Sequence, residues 1–299
     1  MDRTTESGGR PQVIDIVVIA YRNDFCLLEI QARSILLNLD PDRIANIYVC
    51  VNDTDGYCDC IDKNWWGILA HKVKVLPRSI FGSNEQLDGW RSQQLYKLLV
   101  ANQAESSWSL CLDSKTWFVK KLDWNLWFDS RGRANLKSFA TIPVFLSAQK
   151  FIEEYFNIKN PEVIGPGGVP FMFHTRTVQK MCETIPDFFN FFCQYSMYPH
   201  HLTEFMLYSG FVTKTYDNYN ELYSNIQRYK FLNIADWQVP EFDDLWTLSN
   251  DPNLLTISIQ ERAYKLLSDQ QFATWIDYLK SKKLITAQDP LAQKLNTLR

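Results

Sequence analysis

Hydrophobic residues in the first half of the chain fall into short runs that alternate with amphipathic stretches. Val13–Ala20, Ile44–Val51 and Val73–Leu76 are apolar and rich in β-branched residues, as buried strands are. Phe25–Leu39 and Trp90–Ala104 instead repeat their apolar positions at helical spacing. Strands that alternate with helices predict βαβ units, and therefore an α/β fold with a mostly parallel central sheet flanked by helices.

The second half of the chain continues the same patterns less regularly. Strands are predicted at Ser109–Leu112 and Phe139–Phe145, a glycine- and proline-rich loop at Ile164–Val169, and helices at Arg176–Ile185, Leu202–Ser209 and Gln260–Lys283. No internal repeat or break in composition marks a second independent domain. We therefore expect a flexible tail over residues 1–11, one domain over residues 12–262 and a C-terminal helical tail over residues 263–299.

The bulk composition narrows the class of protein. Of the 299 residues 46% are hydrophobic and the net charge is -3, which fits a packed domain without the basic excess of a nucleic-acid-binding protein. No apolar run approaches the roughly 20 residues that span a bilayer, and Met1–Pro11 lacks the basic and apolar regions of a signal peptide. Seven cysteines, an odd number, fit a reducing cytosol. We therefore expect a cytoplasmic protein with neither a transmembrane segment nor a nucleic-acid partner.

Polar residues follow three of the predicted strands at the point where each strand ends. They are Tyr21, Arg22 and Asp24 after the first strand, Asn52 and Asp53 after the second, and Asp113, Ser114 and Lys115 after Ser109–Leu112. Ligands of open α/β sheets bind outside the carboxyl ends of the strands, so these residues predict a binding edge. An aspartate after a strand is also a common turn or helix-capping residue, and both interpretations stay open for each one.

Four segments carry a resemblance to a known family. They are Asp15–Asp24 (DIVVIAYRND), Gly89–Leu98 (GWRSQQLYKL), Leu110–Thr116 (LCLDSKT) and Thr203–Phe211 (TEFMLYSGF). Their order and spacing resemble a DUF6492-like group of bacterial and phage GT-A-like glycosyltransferases, over roughly residues 13 to 262. The resemblance implies a GT-A, Rossmann-like fold. It also implies transfer of a sugar from a nucleoside-diphosphate sugar to a glycan or lipid-linked acceptor.

The resemblance implies roles for individual residues. The donor nucleotide would be bound by Tyr21, Arg22, Asp24, Asn52, Asp53, Gln94, Lys97, Ser114 and Lys115. The sugar or the acceptor would lie beside Gly167, Gly168 and His174, with Glu204 as the catalytic base and Asp113 as a catalytic and metal-binding residue.

Simpler interpretations of the same residues remain open. Lys97 is also explained as a solvated helix lysine, and His174 as a structural histidine. Glu204 is also explained as a glutamate that the helix dipole favours at a helix start, or as a ligand of acceptor hydroxyls if configuration is retained. Trp90 is expected to pack in the interior rather than to stack on a ligand.

The implied metal site departs from the family pattern. GT-A enzymes use a DxD motif to hold Mn²⁺ or Mg²⁺, hard ions that prefer oxygen ligands. Here the motif reads Asp113-Ser114-Lys115, and a charged lysine has no lone pair to offer a metal. Three outcomes stay open: Asp113 holds a metal with fewer protein ligands, the Lys115 ammonium itself neutralises phosphate, or catalysis has been lost.

Two other functions compete with an active glycosyltransferase. The degenerate DxD motif also fits a non-catalytic module that binds nucleotide-sugars. A nucleotidyltransferase would share the sheet, but the sequence lacks a glycine-rich, basic phosphate loop near the first strand.

Overall fold

A computed structural model of the chain describes residues 12–82, 87–135, 143–158, 168–216, 219–224 and 229–296. The strands are β1 (Ile14–Ala20), β2 (Ile44–Val51), β3 (Val73–Pro77), β4 (Trp108–Asp113), β5 (Thr116–Phe118), β6 (Ala134–Asn135), β7 (Phe171–His174), β8 (Tyr223–Ser224), β9 (Lys230–Ile234) and β10 (Leu254–Ile259). The α-helices are α1 (Phe25–Asn38), α2 (Gly89–Ala101), α3 (Trp124–Trp127), α4 (Leu146–Phe156), α5 (Thr175–Thr184), α6 (Phe188–Ser196), α7 (Glu204–Tyr216), α8 (Phe242–Trp246), α9 (Glu261–Leu266), α10 (Asp269–Ser281) and α11 (Pro290–Asn296). None of the helices formed by these residues combines the length and the hydrophobicity that crossing a bilayer requires.

The main sheet has five strands in the order β3-β2-β1-β4-β7. The first four strands are parallel, and β7 runs antiparallel to β4. Every residue of β1 is buried, as expected for a central strand covered on both faces. The predicted α/β fold with a mostly parallel sheet and flanking helices is therefore confirmed. The strand order reverses between β1 and β4, and ligands of open α/β sheets bind at the carboxyl ends of the strands beside such a point.

A buried carboxylate ties the opposite, amino edge of this sheet together. Asp15 in β1 accepts hydrogen bonds from the backbone and side-chain nitrogens of Asn46 at 3.0 and 2.9 Å. Its second oxygen accepts from the backbone N–H groups of Glu105 and Ser106, each at 2.7 Å. Because these bonds join the starts of β1, β2 and β4, they fix where the three strands end at the other edge.

A second, smaller core lies around the three-stranded sheet β5-β10-β9. One side of α1 packs into it through Leu27 and Ile30, and so do buried residues of the last helices. The predicted boundary after residue 262 falls inside α9, and Trp275 of α10 and Leu295 of α11 are completely buried. Helices α9, α10 and α11 lie in this part of the chain, and their buried side chains form part of the second core.

Three further predictions differ from the structure. Of the predicted strand Phe139–Phe145, residues 139–142 lie outside the described residues, and Pro143–Phe145 forms a 3-10 turn. Helix α6 was not predicted, because its sequence FFNFFCQYS has aromatic residues on several sides and no clear polar face. Helix α7 extends to Tyr216, beyond the predicted end at Ser209.

We predict that Gly210→Ala destabilises the fold. A Cβ atom on Gly210 of α7 would clash with Cγ2 of Ile152 in α4 and lie 3.2 Å from Cδ2 of Phe156. Such overpacking should lower the free energy of unfolding by about 1–3 kcal/mol in urea denaturation.

The matched control is Gly56→Ala, whose added Cβ would meet no atom within 4 Å, so its unfolding curve should match the wild type. Ile152→Ala removes the clashing methyl group, so the double variant should lose less stability than the sum of the two single variants. Additive losses would contradict the proposed close approach of α4 and α7.

Candidate functional site

Three of the predicted segments meet at the carboxyl edge of the main sheet. Asp113, the last residue of β4, pairs in register with Ile19 of β1. The backbone N–H of Asn52, directly after β2, donates to the carbonyl of Ala20 at 2.8 Å. In the turn after β4, the Ser114 hydroxyl donates to Oδ2 of Asp24 at 3.0 Å. The structure therefore brings together the polar residues that follow β1, β2 and β4.

A buried lysine connects this edge to two helices. Nζ of Lys97 in α2 lies 2.8 Å from Oδ1 of Asp113 and 3.0 Å from Oε1 of Glu204, the first residue of α7. The side chains of Lys97 and Glu204 are only 7% and 4% exposed, whereas that of Asp113 is 19% exposed. Nε2 of Gln93 also donates to Oδ1 of Asp113 at 3.1 Å. Lys97 is therefore neither solvated nor free, but holds a strand end and a helix start together.

The pKa values of the two carboxyl groups that share Lys97 are shifted in opposite directions. Burial opposes the charge on Lys97, but Asp113 and Glu204 outweigh it and raise the pKa of the lysine. Burial also opposes ionisation of Asp113, yet Lys97 and then Lys115 outweigh it and lower the pKa of Asp113. For Glu204 burial dominates, and its pKa is raised despite Lys97. Asp113 is therefore the ionised partner, and Glu204 is the one that takes up a proton first.

An exposed aromatic and guanidinium group lies beside the end of β1. The guanidinium carbon of Arg22 is 5.7 Å from the ring centre of Tyr21 and 5.4 Å from that of Tyr57. Nη1 of Arg22 donates to the Tyr57 hydroxyl at 2.9 Å, and its Nε lies 3.5 Å from Oδ2 of Asp53. Tyr57 was missed from the sequence, although it follows the second strand in the same acidic turn as Asp53. These groups offer a flat, partly charged surface at the strand edge.

Two amide side chains lie deeper at the same edge. The Asn52 side chain donates to the Ser92 hydroxyl at 3.0 Å and to the carbonyl of Gly89 at 3.3 Å. Asn52 thus links the end of β2 to the start of α2, and this bonding occupies its amide nitrogen. Gln94 of α2 is 3% exposed, and neither of its amide atoms has a hydrogen-bond partner among the described residues. Buried amides are usually satisfied, so Gln94 is an exception on the helix that also carries Lys97.

The turn after β4 presents an ammonium group. Lys115 is half-buried, and among the residues described it makes no ion pair within 4 Å. Its charge lowers the pKa of Asp113 and partly offsets the burial that raises the pKa of Asp24. Lys115 is therefore close enough to influence both carboxyl groups, but it forms an ion pair with neither of them.

The structure separates the residues predicted beside the sugar. Gly167 lies outside the described residues, and Gly168 is exposed just before β7. Phe171 at the start of β7 pairs with Cys111 near the end of β4, so Gly168 lies towards the ligand edge.

His174 lies at the opposite edge of the sheet, which corrects the prediction that it contacts sugar or phosphate. Because β7 is antiparallel, its last residue pairs with Trp108, the first residue of β4. Nδ1 of His174 lies 2.8 Å from the Thr177 hydroxyl, and burial lowers the pKa of the imidazole. The structural interpretation of this histidine is therefore the one that its surroundings support.

The side chains at the edge do not fit a divalent cation held by the protein alone. Oδ1 of Asp113 already accepts hydrogen bonds from Lys97 and Gln93, and an ammonium group replaces the second DxD carboxylate. In the part of the chain that the structure describes, no group of three or more histidine, cysteine, aspartate or glutamate side chains has the arrangement of a metal site. We therefore derive no chemical step through a metal.

Comparison with known proteins places the chain in a family. Residues 14–243 match the family of unknown function DUF6492. The chain belongs to the DUF6492 family. No curated protein matches it.

Several solved glycosyltransferases align with this DUF6492 member at low identity. Galactosyltransferase LgtC, in complex with donor and acceptor sugar analogues, is 13% identical, with 94% of this chain and 100% of that chain covered and a TM-score of 0.49. The bifunctional glycosyltransferase WbbM is 11% identical, with 100% and 53% covered and a TM-score of 0.49. The glycosyltransferase GlyE of Streptococcus pneumoniae TIGR4 is 12% identical, with 95% and 63% covered and a TM-score of 0.49.

We predict that the stability lost in Asp113→Asn and the stability lost in Glu204→Gln change in opposite directions with pH. The lowered pKa of Asp113 contributes stability above its unfolded pKa, which is lost as pH falls through its folded pKa. The raised pKa of Glu204 contributes stability below its unfolded pKa, which is lost as pH rises through its folded pKa. Asp113→Asn should therefore cost more stability at neutral than at acid pH, about 3 kcal/mol at neutrality. Glu204→Gln should cost less at neutral than at acid pH.

Urea unfolding of both variants between acid and neutral pH measures these differences from the wild type. Asp59→Asn, at an exposed position, is the control and should follow the wild-type curve. The same slope with pH for Asp113→Asn and Glu204→Gln would contradict the proposed protonation states.

Proposed function

We propose that this protein is a GT-A-type glycosyltransferase that uses a nucleoside-diphosphate sugar and a glycan or lipid-linked acceptor. The observation that carries the proposal is the convergence of three chain segments at the carboxyl edge where the strand order reverses. An aromatic and guanidinium surface lies after β1, and a turn with an unpaired lysine lies after β4. The first suits a nucleotide, and the second suits the phosphates that must lie beside it.

Each part of the edge receives a role in donor binding. Tyr21, which is 37% exposed, offers its ring to the base, and Arg22 is held over that ring. Asp24 accepts from Ser114 and so orients the turn that carries Lys115. Gln94 precedes Lys97 by one helical turn of α2, and it supplies an amide group that has no hydrogen-bond partner among the described residues.

The reaction requires charge to be stabilised on the leaving group. The bond between the anomeric carbon and the diphosphate oxygen breaks, a bond to an acceptor hydroxyl oxygen forms, and the hydroxyl proton passes to an oxygen of the departing diphosphate. Negative charge then builds up on the diphosphate, where a fixed ammonium group is most effective. We assign this task to Lys115, while Lys97 keeps the Asp113 carboxylate ionised and in place.

We propose a positioning role for Glu204 in place of the predicted role as catalytic base. Its carboxyl group pairs with Lys97 and its side chain is 4% exposed, so it presents no open oxygen to an acceptor. Through Lys97 it fixes the start of α7 relative to the end of β4.

One observation favours a second candidate, a module that binds a nucleotide-sugar without transferring it. Both carboxyl groups expected to perform chemistry, Asp113 and Glu204, are engaged by the same lysine. A binding module needs the aromatic surface and Lys115 but no available carboxylate.

We also propose that the protein acts in the cytoplasm. All seven cysteines lie within the described residues, and all are free. Free thiols, one exposed at Cys60 and three partly exposed at Cys26, Cys58 and Cys182, fit a reducing compartment.

Nucleotide binding provides the test. We expect UDP, GDP or CDP, or one of their sugar conjugates, to bind in isothermal titration calorimetry in the presence of EDTA. Lys115→Ala should weaken binding at least about tenfold, because a charge-assisted contact to phosphate is lost. Lys121→Ala removes an exposed lysine beside Leu122, which bonds to the far end of α1, and should leave the affinity unchanged.

The same samples distinguish the two candidates. Release of the nucleoside diphosphate from a bound conjugate indicates a transferase, whereas binding without turnover of any acceptor indicates a binding module. No binding of any nucleotide, with EDTA or with Mn²⁺, would contradict both.

A further inference from the structure

Four large, exposed side chains lie at the starts of α2 and α4 and on the segment between α6 and α7. They are Trp90, Leu146, Met197 and Tyr198, which are 51%, 55%, 38% and 82% exposed, and together we name them the acceptor rim. Trp90 was expected to pack in the interior, and its exposure corrects that prediction. Exposed apolar side chains that cluster next to a cleft usually mark a binding surface.

Hydrogen bonds fix the three segments of the rim relative to one another. Nε of Arg91, the neighbour of Trp90, donates to the carbonyl of Ser196 at 3.1 Å. The Ser147 hydroxyl, next to Leu146, donates to the carbonyl of His200 at 3.1 Å. The segment that carries Met197 and Tyr198 is therefore held between the starts of α2 and α4.

The acceptor rim is continuous with the candidate site. The carbonyl of Gly89, directly before Trp90, accepts a hydrogen bond from Asn52 at the end of β2. The segment that carries Tyr198 leads within a few residues to Glu204, which pairs with Lys97. The rim therefore borders the same edge of the sheet as Asp113, on the side of α2 and α7.

The chemistry of the rim favours a carbohydrate. Tyr198 packs the edge of its ring against His201, with ring centres 5.9 Å apart, and this leaves a tyrosine ring open to solvent beside a polar imidazole. Flat aromatic faces next to polar groups suit a ligand that is apolar on one face and hydroxylated at its edge, as a sugar ring is.

The charges beside the rim disfavour a membrane surface. Binding to anionic lipid uses unpaired lysine and arginine side chains next to the apolar groups. Here Arg91 pairs with Asp88, and Lys150 lies 3.8 Å from Glu154. The nearest cations that the structure describes on α2 and α4 are thus matched by carboxylates.

We infer that the acceptor rim binds a neutral oligosaccharide, with Trp90 and Tyr198 as stacking platforms that present its end hydroxyl to the donor. The inference rests on the proposed function and names the chemical class of its acceptor. For a lipid-linked acceptor, the inference requires that the glycan part, and not the lipid, contacts the rim.

Binding of defined oligosaccharides to the full chain tests the inference. The probes are maltohexaose, cellohexaose, chitohexaose and xylohexaose, followed by saturation-transfer NMR and by titration of intrinsic fluorescence. At least one probe should bind in a saturable manner, and Trp90→Ala and Tyr198→Ala should each weaken that binding at least about fivefold.

Trp237→Ala is the matched control, because Trp237 is 74% exposed but belongs to the 3-10 turn Asp236–Glu241 beside the second core. This variant should bind the probe as tightly as the wild type. Thermal unfolding of all three variants confirms that they fold.

Three results would overturn the inference: no probe binds, the rim variants bind as well as Trp237→Ala, or the rim variants lose binding only to phosphatidylglycerol vesicles. Calorimetry with UDP and GDP on the same samples tests nucleotide binding separately from oligosaccharide binding at the rim. If the wild type binds an oligosaccharide through the rim but no nucleotide, the proposed function fails while the carbohydrate site stands.

Discussion

The ammonium group of Lys97, held between Asp113 and Glu204, is the interaction on which the candidate site depends. It joins a helix, a strand end and the start of a second helix at one buried point. Burying a lysine is unfavourable unless carboxylates compensate it, and two carboxylates for one ammonium leave an excess of negative charge. The fold resolves this excess by keeping Asp113 ionised and by making Glu204 the group that protonates more readily.

This arrangement explains how the edge could accept an anionic ligand despite its carboxyl groups. Lys97 balances the charge of Asp113, and Asp24 is half-buried, with its pKa raised chiefly by burial. Lys115 in the neighbouring turn makes no ion pair within the described residues, and the proposed function assigns it to an incoming phosphate. In a site built on a DxD motif a metal would perform this task, and under the proposal the lysine in the motif offers its own charge instead.

The sequence predicted the sheet well because buried parallel strands are nearly continuous apolar runs. The predicted bounds of β2 match the structure, those of β1 differ by one residue at one end, and those of β4 differ by one residue at each end. Because parallel strands end at a common edge, the residues after β1, β2 and β4 could also be placed together. The partner of Lys97 could not, since Glu204 lies 107 residues further along the chain and only tertiary packing brings it close.

Other errors came from treating local patterns as if direction and packing were known. The role of His174 depended on the direction of β7, which a four-residue apolar run does not reveal. The last helices seemed separable because they are rich in charge, yet Trp275 and Leu295 are fully buried against β5, β10 and α1. Trp90 was expected in the core because it is a large aromatic residue, but it lies in the first turn of α2 and is exposed.

The most direct test of the central interaction is a carbon-13 NMR titration of the carboxyl groups, with Asp113→Asn and Glu204→Gln used to assign the two signals. We predict that Asp113 titrates below the ordinary range of aspartate and Glu204 above the ordinary range of glutamate. Two titrations at ordinary values would show that Lys97 does not hold both carboxyl groups and would contradict this prediction.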